Sequence, residues 1–173
     1  MKAKDYDFIF KVIFIGDYGC GKSSILIRYC DKIYHEYAYT AGRFDFKFHT
    51  VKMLGKTIKL QIWDYNVDRR FNTSLPTQLR PKDGIFLVFD ITNRKSFNSV
   101  NGWYETAKSS ISSNTPIVLV GNKCDLESER QVSYDEAKEL ADNLNIVYIE
   151  TSAKRNNNIE AVFNFLTLLM INS

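Results

Sequence analysis

Eight residues constrain this chain more than any other stretch. Gly16-Asp17-Tyr18-Gly19-Cys20-Gly21-Lys22-Ser23 fits the pattern G-x-x-x-x-G-K-[ST]. It directly follows Phe8 to Ile15, an apolar run rich in Phe, Ile and Val of the kind that forms a buried strand. Ser24 to Cys30, just after it, reads as a helix. Glycines let the backbone curl so that successive N–H groups point at phosphate oxygens. A helix N-terminus adds its dipole, and a lysine adds a point charge for the outer phosphates. The hydroxyl of Ser23 is placed to ligate Mg²⁺. Asp17, Tyr18, Gly19, Cys20, Gly21, Lys22, Ser23 and Ser24 are therefore the expected phosphate-loop contacts. The loop alone does not choose the nucleotide, because ATPases and kinases share it.

The rest of the chain alternates strand and helix signals. Phe44 to Met53 and Thr57 to Trp63 alternate in polarity, and Gly55-Lys56 between them marks a tight antiparallel turn. Gly84 to Asp90, Pro116 to Val120 and Ile146 to Ile149 read as strands buried on both faces. Helices are expected over Ser96 to Ile111, Ser133 to Leu144 and Ile159 to Ile171. Ser133 and Glu136 suggest a capping box. The prediction is an α/β fold of the P-loop NTPase type. Its six-stranded sheet is mostly parallel with one antiparallel edge strand, and helices cover both faces. Residues 1–173 read as a single domain, with 1–7 as an N-terminal extension.

Composition excludes several classes. With 23 Lys plus Arg against 20 Asp plus Glu, the net charge of +3 gives no basic footprint for nucleic acid. Three scattered cysteines argue against a disulfide framework and for a reducing, cytoplasmic setting. No apolar stretch is long enough to span a membrane.

A second constellation narrows the ligand. Asn122-Lys123-Cys124-Asp125 follows the strand Ile117 to Val120 and Gly121. Thr151-Ser152-Ala153-Lys154 follows Ile146 to Ile149. Both fall at C-terminal strand ends, on the rim that carries the phosphate loop. A carboxylate there can accept from adjacent ring N–H and amine donors, an edge that guanine has and adenine lacks. On these motifs, with KTIKLQIWD at 56–64 and VGNKCDL at 120–126, the chain resembles a small GTPase of the Ras superfamily, Rab-like in detail. The resemblance implies binding of GTP and GDP with Mg²⁺. Asn122 and Asp125 would read the guanine, and Lys123 would lie along base and ribose. Ser152, Ala153 and Lys154 would complete the pocket, and Tyr34 would pack on the base. It also implies that Lys22 serves catalysis and that Asp64 holds Mg²⁺ through a water.

The resemblance breaks at the switch positions. The family's Thr-Ala-Gly-Gln-Glu is replaced by Tyr65-Asn66-Val67-Asp68-Arg69. Val67 thus stands at the γ-phosphate glycine and Asp68 at the catalytic glutamine. Aspartate only accepts, is shorter, and brings negative charge toward a phosphate. Counting from Lys22 without gaps places the metal-ligating threonine at Ala41. A one-residue insertion before Asp45 would put Thr40 there instead. The expectation is a Rab-type switch in vesicle trafficking that hydrolyses GTP very slowly and holds Mg²⁺ weakly. The alternative is a non-cycling guanine-nucleotide module with a structural or partner-binding role.

The remaining residues fill in partners. Trp63 and Phe46 resemble the Rab surface that meets effector proteins, and exchange factors and activators are implied at the same switches. His35 and His49 read as surface or edge positions. Cys20 is a candidate oxidation-sensitive thiol, Cys30 and Cys124 are apolar fillers, and Arg69 and Arg70 are solvated switch residues. The chain is expected to be a monomer. It carries no C-terminal cysteine as a lipid anchor, and any endomembrane association is expected to be peripheral.

Overall fold

The computed structural model describes residues 5–36, 44–65 and 83–173. Chain order runs β1 (Phe8–Ile15), α1 (Lys22–Asp31), β2 (Phe44–Met53), β3 (Lys56–Tyr65) and β4 (Gly84–Asp90). It continues α2 (Arg94–Asn98), α3 (Val100–Lys108), β5 (Ile117–Asn122), α4 (Tyr134–Asn143), β6 (Val147–Glu150) and α5 (Ile159–Ile171). The six-stranded sheet has the order β2-β3-β1-β4-β5-β6. Every neighbouring pair is parallel except β2 with β3, so the antiparallel strand lies at an edge, as expected.

The apolar runs explain the order. All seven residues of β4 are buried, which suits a central strand with helices on both faces. On one face α1 and α5 cover the sheet: Ile25, Leu26 and Tyr29 meet Val162, Phe163 and Leu166 over Val12, Phe14, Ile62 and Phe86. Tyr29 stacks on Phe163 with ring centroids 3.6 Å apart. Burying a ring of this size contributes about 1.5–3 kcal/mol. On the other face Phe97, Val100, Trp103, Ala137 and Ala141 pack on Ile13, Ile15, Leu87 and Leu119.

Several boundaries differ from the sequence expectation. The single helix over Ser96 to Ile111 is two, α2 and α3, separated at Ser99. Ser99 Oγ donates to the Lys95 carbonyl, a back-bond that competes with the helical ladder. Upstream, the Asn93 side chain accepts from the N–H groups of Lys95 and Ser96 and so starts α2 before Ser96. At the far end Ser109 and Ser110 hydroxyls donate to the Thr106 carbonyl, and α3 stops at Lys108. The hairpin turn is Leu54-Gly55, both at positive φ, and Lys56 already belongs to β3. β5 runs on through Asn122, which puts that residue in the strand rather than after it. Asp7, in the segment before β1, is tied to the sheet, since its carboxylate accepts from Thr57 N–H at 2.7 Å.

Candidate functional site

The loop after β1 turns on glycines. Gly16 sits at φ +144°, and a Cβ there would lie 2.1 Å from the Val88 carbonyl oxygen of β4. No larger residue fits so close to a neighbouring strand. α1 starts at Lys22, two residues before the expected Ser24, so the loop feeds straight into a helix N-terminus. Lys22 is 3 % exposed, and its Nζ donates to the carbonyls of Gly16 and Asp17 at 2.9 and 2.8 Å. These bonds fold the ammonium back across the loop. Asp17 is fixed from outside as well, because Trp103 Nε1 of α3 donates to its Oδ1 at 2.7 Å. Tyr18 projects outward and is 73 % exposed.

Ser23, one residue into α1, donates to the Asp64 carboxylate of β3. Two hard oxygen donors thus meet beside the phosphate loop. This is the donor chemistry Mg²⁺ takes when phosphate oxygens and waters supply the rest of its shell. Among the described residues no group of three His, Cys, Asp or Glu side chains could hold a metal without such help. Thr40, Ala41, Val67, Asp68, Arg69 and Arg70 lie outside the described residues.

Next to the loop opens a cavity of about 230 Å³. Gly21, Ser24, Tyr34, Asn122, Lys123, Asp125, Ala153 and Lys154 line it. The structure therefore gathers residues from four separate segments around one space. Leu126, the last residue of VGNKCDL, and Glu36, which no motif signals, line it too. Glu36 reaches Lys154 across the mouth at 3.5 Å.

The cavity wall is organised by buried polar groups. Asn122 is 2 % exposed, and its Nδ2 donates to the Cys20 carbonyl at 3.0 Å. Its Oδ1 accepts from Thr151 Oγ at 3.1 Å. One side chain at the end of β5 thus ties the loops after β1 and β6 together. Ser152 Oγ donates to Asp125 Oδ1 at 2.6 Å and orients that carboxylate. Lys123, at φ +66°, lines the cavity while its Nζ pairs with Asp90 at 2.6 Å. Asp90 is itself 5 % exposed, and its other oxygen accepts from Thr92. Arg130 braces the two rim loops: it bonds Glu127 beyond Asp125 and Glu150 before Thr151. Both pairings hold its guanidinium charged and push its pKa far up, and Arg130 holds the Glu127 carboxyl below the usual range.

One expectation fails on chemistry. Cys20 is buried at 1 % exposure, and burial raises its thiol pKa against the opposing pull of Lys22. A protonated, enclosed thiol is a poor nucleophile, so Cys20 is not an oxidation sensor in this conformation. Cys30 and Cys124 pack against the two cores as fillers do. His49 lies on edge strand β2 against Tyr29, and His35 is exposed. Phe46 stacks on Trp63 at 4.8 Å and remains 47 % exposed, which leaves an aromatic patch at the sheet edge.

The Ras family model matches residues 11–172. The chain is 40 % identical over 163 residues to GTP-binding protein ypt2 of Schizosaccharomyces pombe, covering 94 % of this chain and 82 % of that protein. It is 47 % identical over 160 residues to Ras-related protein RIC1 of Oryza sativa, with 92 % and 79 % covered. It is 44 % identical over 160 residues to Ras-related protein Rab-3 of Caenorhabditis elegans, with 92 % and 73 % covered.

Proposed function

Because the chain belongs to the Ras family, as a Rab-like small GTPase, we propose that the cavity beside its phosphate loop binds GDP and GTP and that the protein is a vesicle-trafficking switch with very slow intrinsic hydrolysis. The observation that carries the binding reading is the placing of Asp125, oriented by Ser152, in a cavity that opens beside Gly21 and Ser24. Asp125 accepts from the guanine edge, Tyr34 and the Lys123 stem flank the ring, and the loop N–H groups and Lys22 take the phosphates. Ser23 and Asp64 are the residues that would hold Mg²⁺, which when bound supplies positive charge to the outer phosphates. Nucleotide-dependent partners (effectors, exchange factors and activators) meet the switch regions and the Phe46–Trp63 patch. Among the described residues no helix is long and apolar enough to cross a membrane.

Slow turnover rests on residue identity. Val67 and Asp68 replace the glycine and glutamine that the family uses at the γ-phosphate. Carboxylate charge there opposes the charge that develops on the transferred group. Single-turnover hydrolysis of radiolabelled GTP is expected to run below about 10⁻⁴ s⁻¹, the intrinsic scale for such proteins. A rate at or above that scale refutes the reading. Aligned without an insertion, Ala41 stands at the threonine position and the GTP state lacks that hydroxyl ligand. EDTA is therefore expected to accelerate release of a non-hydrolysable GTP analogue only slightly, and a strong acceleration counts against this assignment.

A further inference from the structure

The base pocket has two walls that come from opposite ends of the chain: Tyr34, just beyond α1, and Ala153-Lys154, in the loop after β6. Behind them stands Arg28, in the last turn of α1. Its Nε donates to the Ala153 carbonyl at 2.7 Å, and its Nη2 donates to the Lys154 carbonyl at 3.1 Å. Its Nη1 donates to the Lys32 carbonyl at 3.2 Å, on the residue that ends α1 in the left-handed conformation. The guanidinium carbon also lies 5.7 Å from the centre of the Tyr34 ring. No motif contains this residue.

We propose that Arg28 is a positioning residue for base recognition, acting through both walls of the pocket, on the reading that the pocket takes guanine. The planar fork of a guanidinium can satisfy three carbonyls in fixed directions at once, which a lysine ammonium on a flexible stem cannot. Two of those carbonyls belong to the residues that face the base. The third fixes the chain as it leaves α1 toward Tyr34, and the cation holds that ring. Arg28 stands behind the cavity wall, so its effect passes through the groups it holds. Losing it leaves the phosphate loop intact and loosens the loop after β6, where Ser152, next to Ala153, orients the Asp125 carboxylate that reads the guanine edge.

A staple that merely stabilises the fold would weaken all nucleotides alike. The test is therefore displacement of a fluorescent GDP analogue from the full chain by GDP and, separately, by ADP. Wild type, Arg28→Met and Arg28→Lys are compared. Arg28→Met keeps the aliphatic stem and removes every donor. It is expected to weaken GDP about tenfold while ADP changes less than about twofold, so that discrimination narrows about tenfold. Arg28→Lys is expected to fall between. Equal weakening of GDP and ADP, or no change in either, overturns the proposal. If Arg28→Met does not fold, Arg28→Lys decides by the same ratio: a narrowed ratio supports the proposal and an unchanged one overturns it. A wild-type protein that binds ADP as well as GDP refutes the guanine reading itself, a result separate from any effect of Arg28.

Discussion

Asp125→Asn is expected to weaken GDP binding by about a hundredfold or more. The carboxylate is the acceptor for two adjacent donors on the guanine edge. An amide presents a donor to one of them, and the bond is replaced by a donor facing a donor. Hydrogen bonds to a charged group contribute about 1.5–3 kcal/mol each, and an unpaired buried group costs a similar amount. Together these terms reach about 3–6 kcal/mol, and each 1.4 kcal/mol is tenfold in affinity. The fold is expected to survive, because an amide oxygen still accepts from Ser152 Oγ, now 2.6 Å from the carboxylate. Titration of the variant against a fluorescent GDP analogue, beside its thermal melt without nucleotide, separates the two effects. GDP affinity within tenfold of wild type would remove Asp125 from the base site.

Gly21→Ala is expected to cost at least about a hundredfold in GDP affinity, by a different route. A Cβ on Gly21 would lie 2.2 Å from Asn122 Nδ2, and φ there is +91°, a region that L side chains rarely adopt. Backbone strain of this kind costs about 1–3 kcal/mol. Moving Asn122 away also breaks its bond to the Cys20 carbonyl. Loop geometry and base pocket then degrade together. Fluorescence anisotropy with labelled GDP measures the loss. An affinity within threefold of wild type would show that the loop can accommodate the methyl group and that Asn122 is free to move.

What the sequence makes legible has a physical reason. The phosphate loop is legible because its chemistry needs glycines at fixed spacing within eight contiguous residues. β4 is legible because a strand covered on both faces must be apolar throughout. The edge position of β2 follows from the short turn that forces it to pair antiparallel with β3. The break at Ser99 is not legible, because a serine inside a helical pattern is common and only its back-bond to Lys95 reveals the interruption. Arg28 is hidden for another reason: its partner carbonyl at Ala153 is 125 residues away, and carbonyls leave no mark in a sequence. The same holds for Trp103 and Asp17, 86 residues apart. The enclosure of Cys20 is not legible either, because position in a functional loop says nothing of burial, and burial controls thiol reactivity.

Asn122 joins loops that follow β1, β5 and β6, strands that span most of the sheet. These loops are in place only when the sheet has assembled, so an unfolded chain offers nucleotide no site. Folding and loading are then one linked equilibrium. A ligand held only by the native state adds RT ln(1 + [L]/Kd) to its stability, about 2.7 kcal/mol at a hundred times Kd. Under the function proposed above, the guanine-nucleotide pool acts as a reservoir that sets how long each folded molecule survives. A partner that empties the pocket withdraws that protection at the moment it acts.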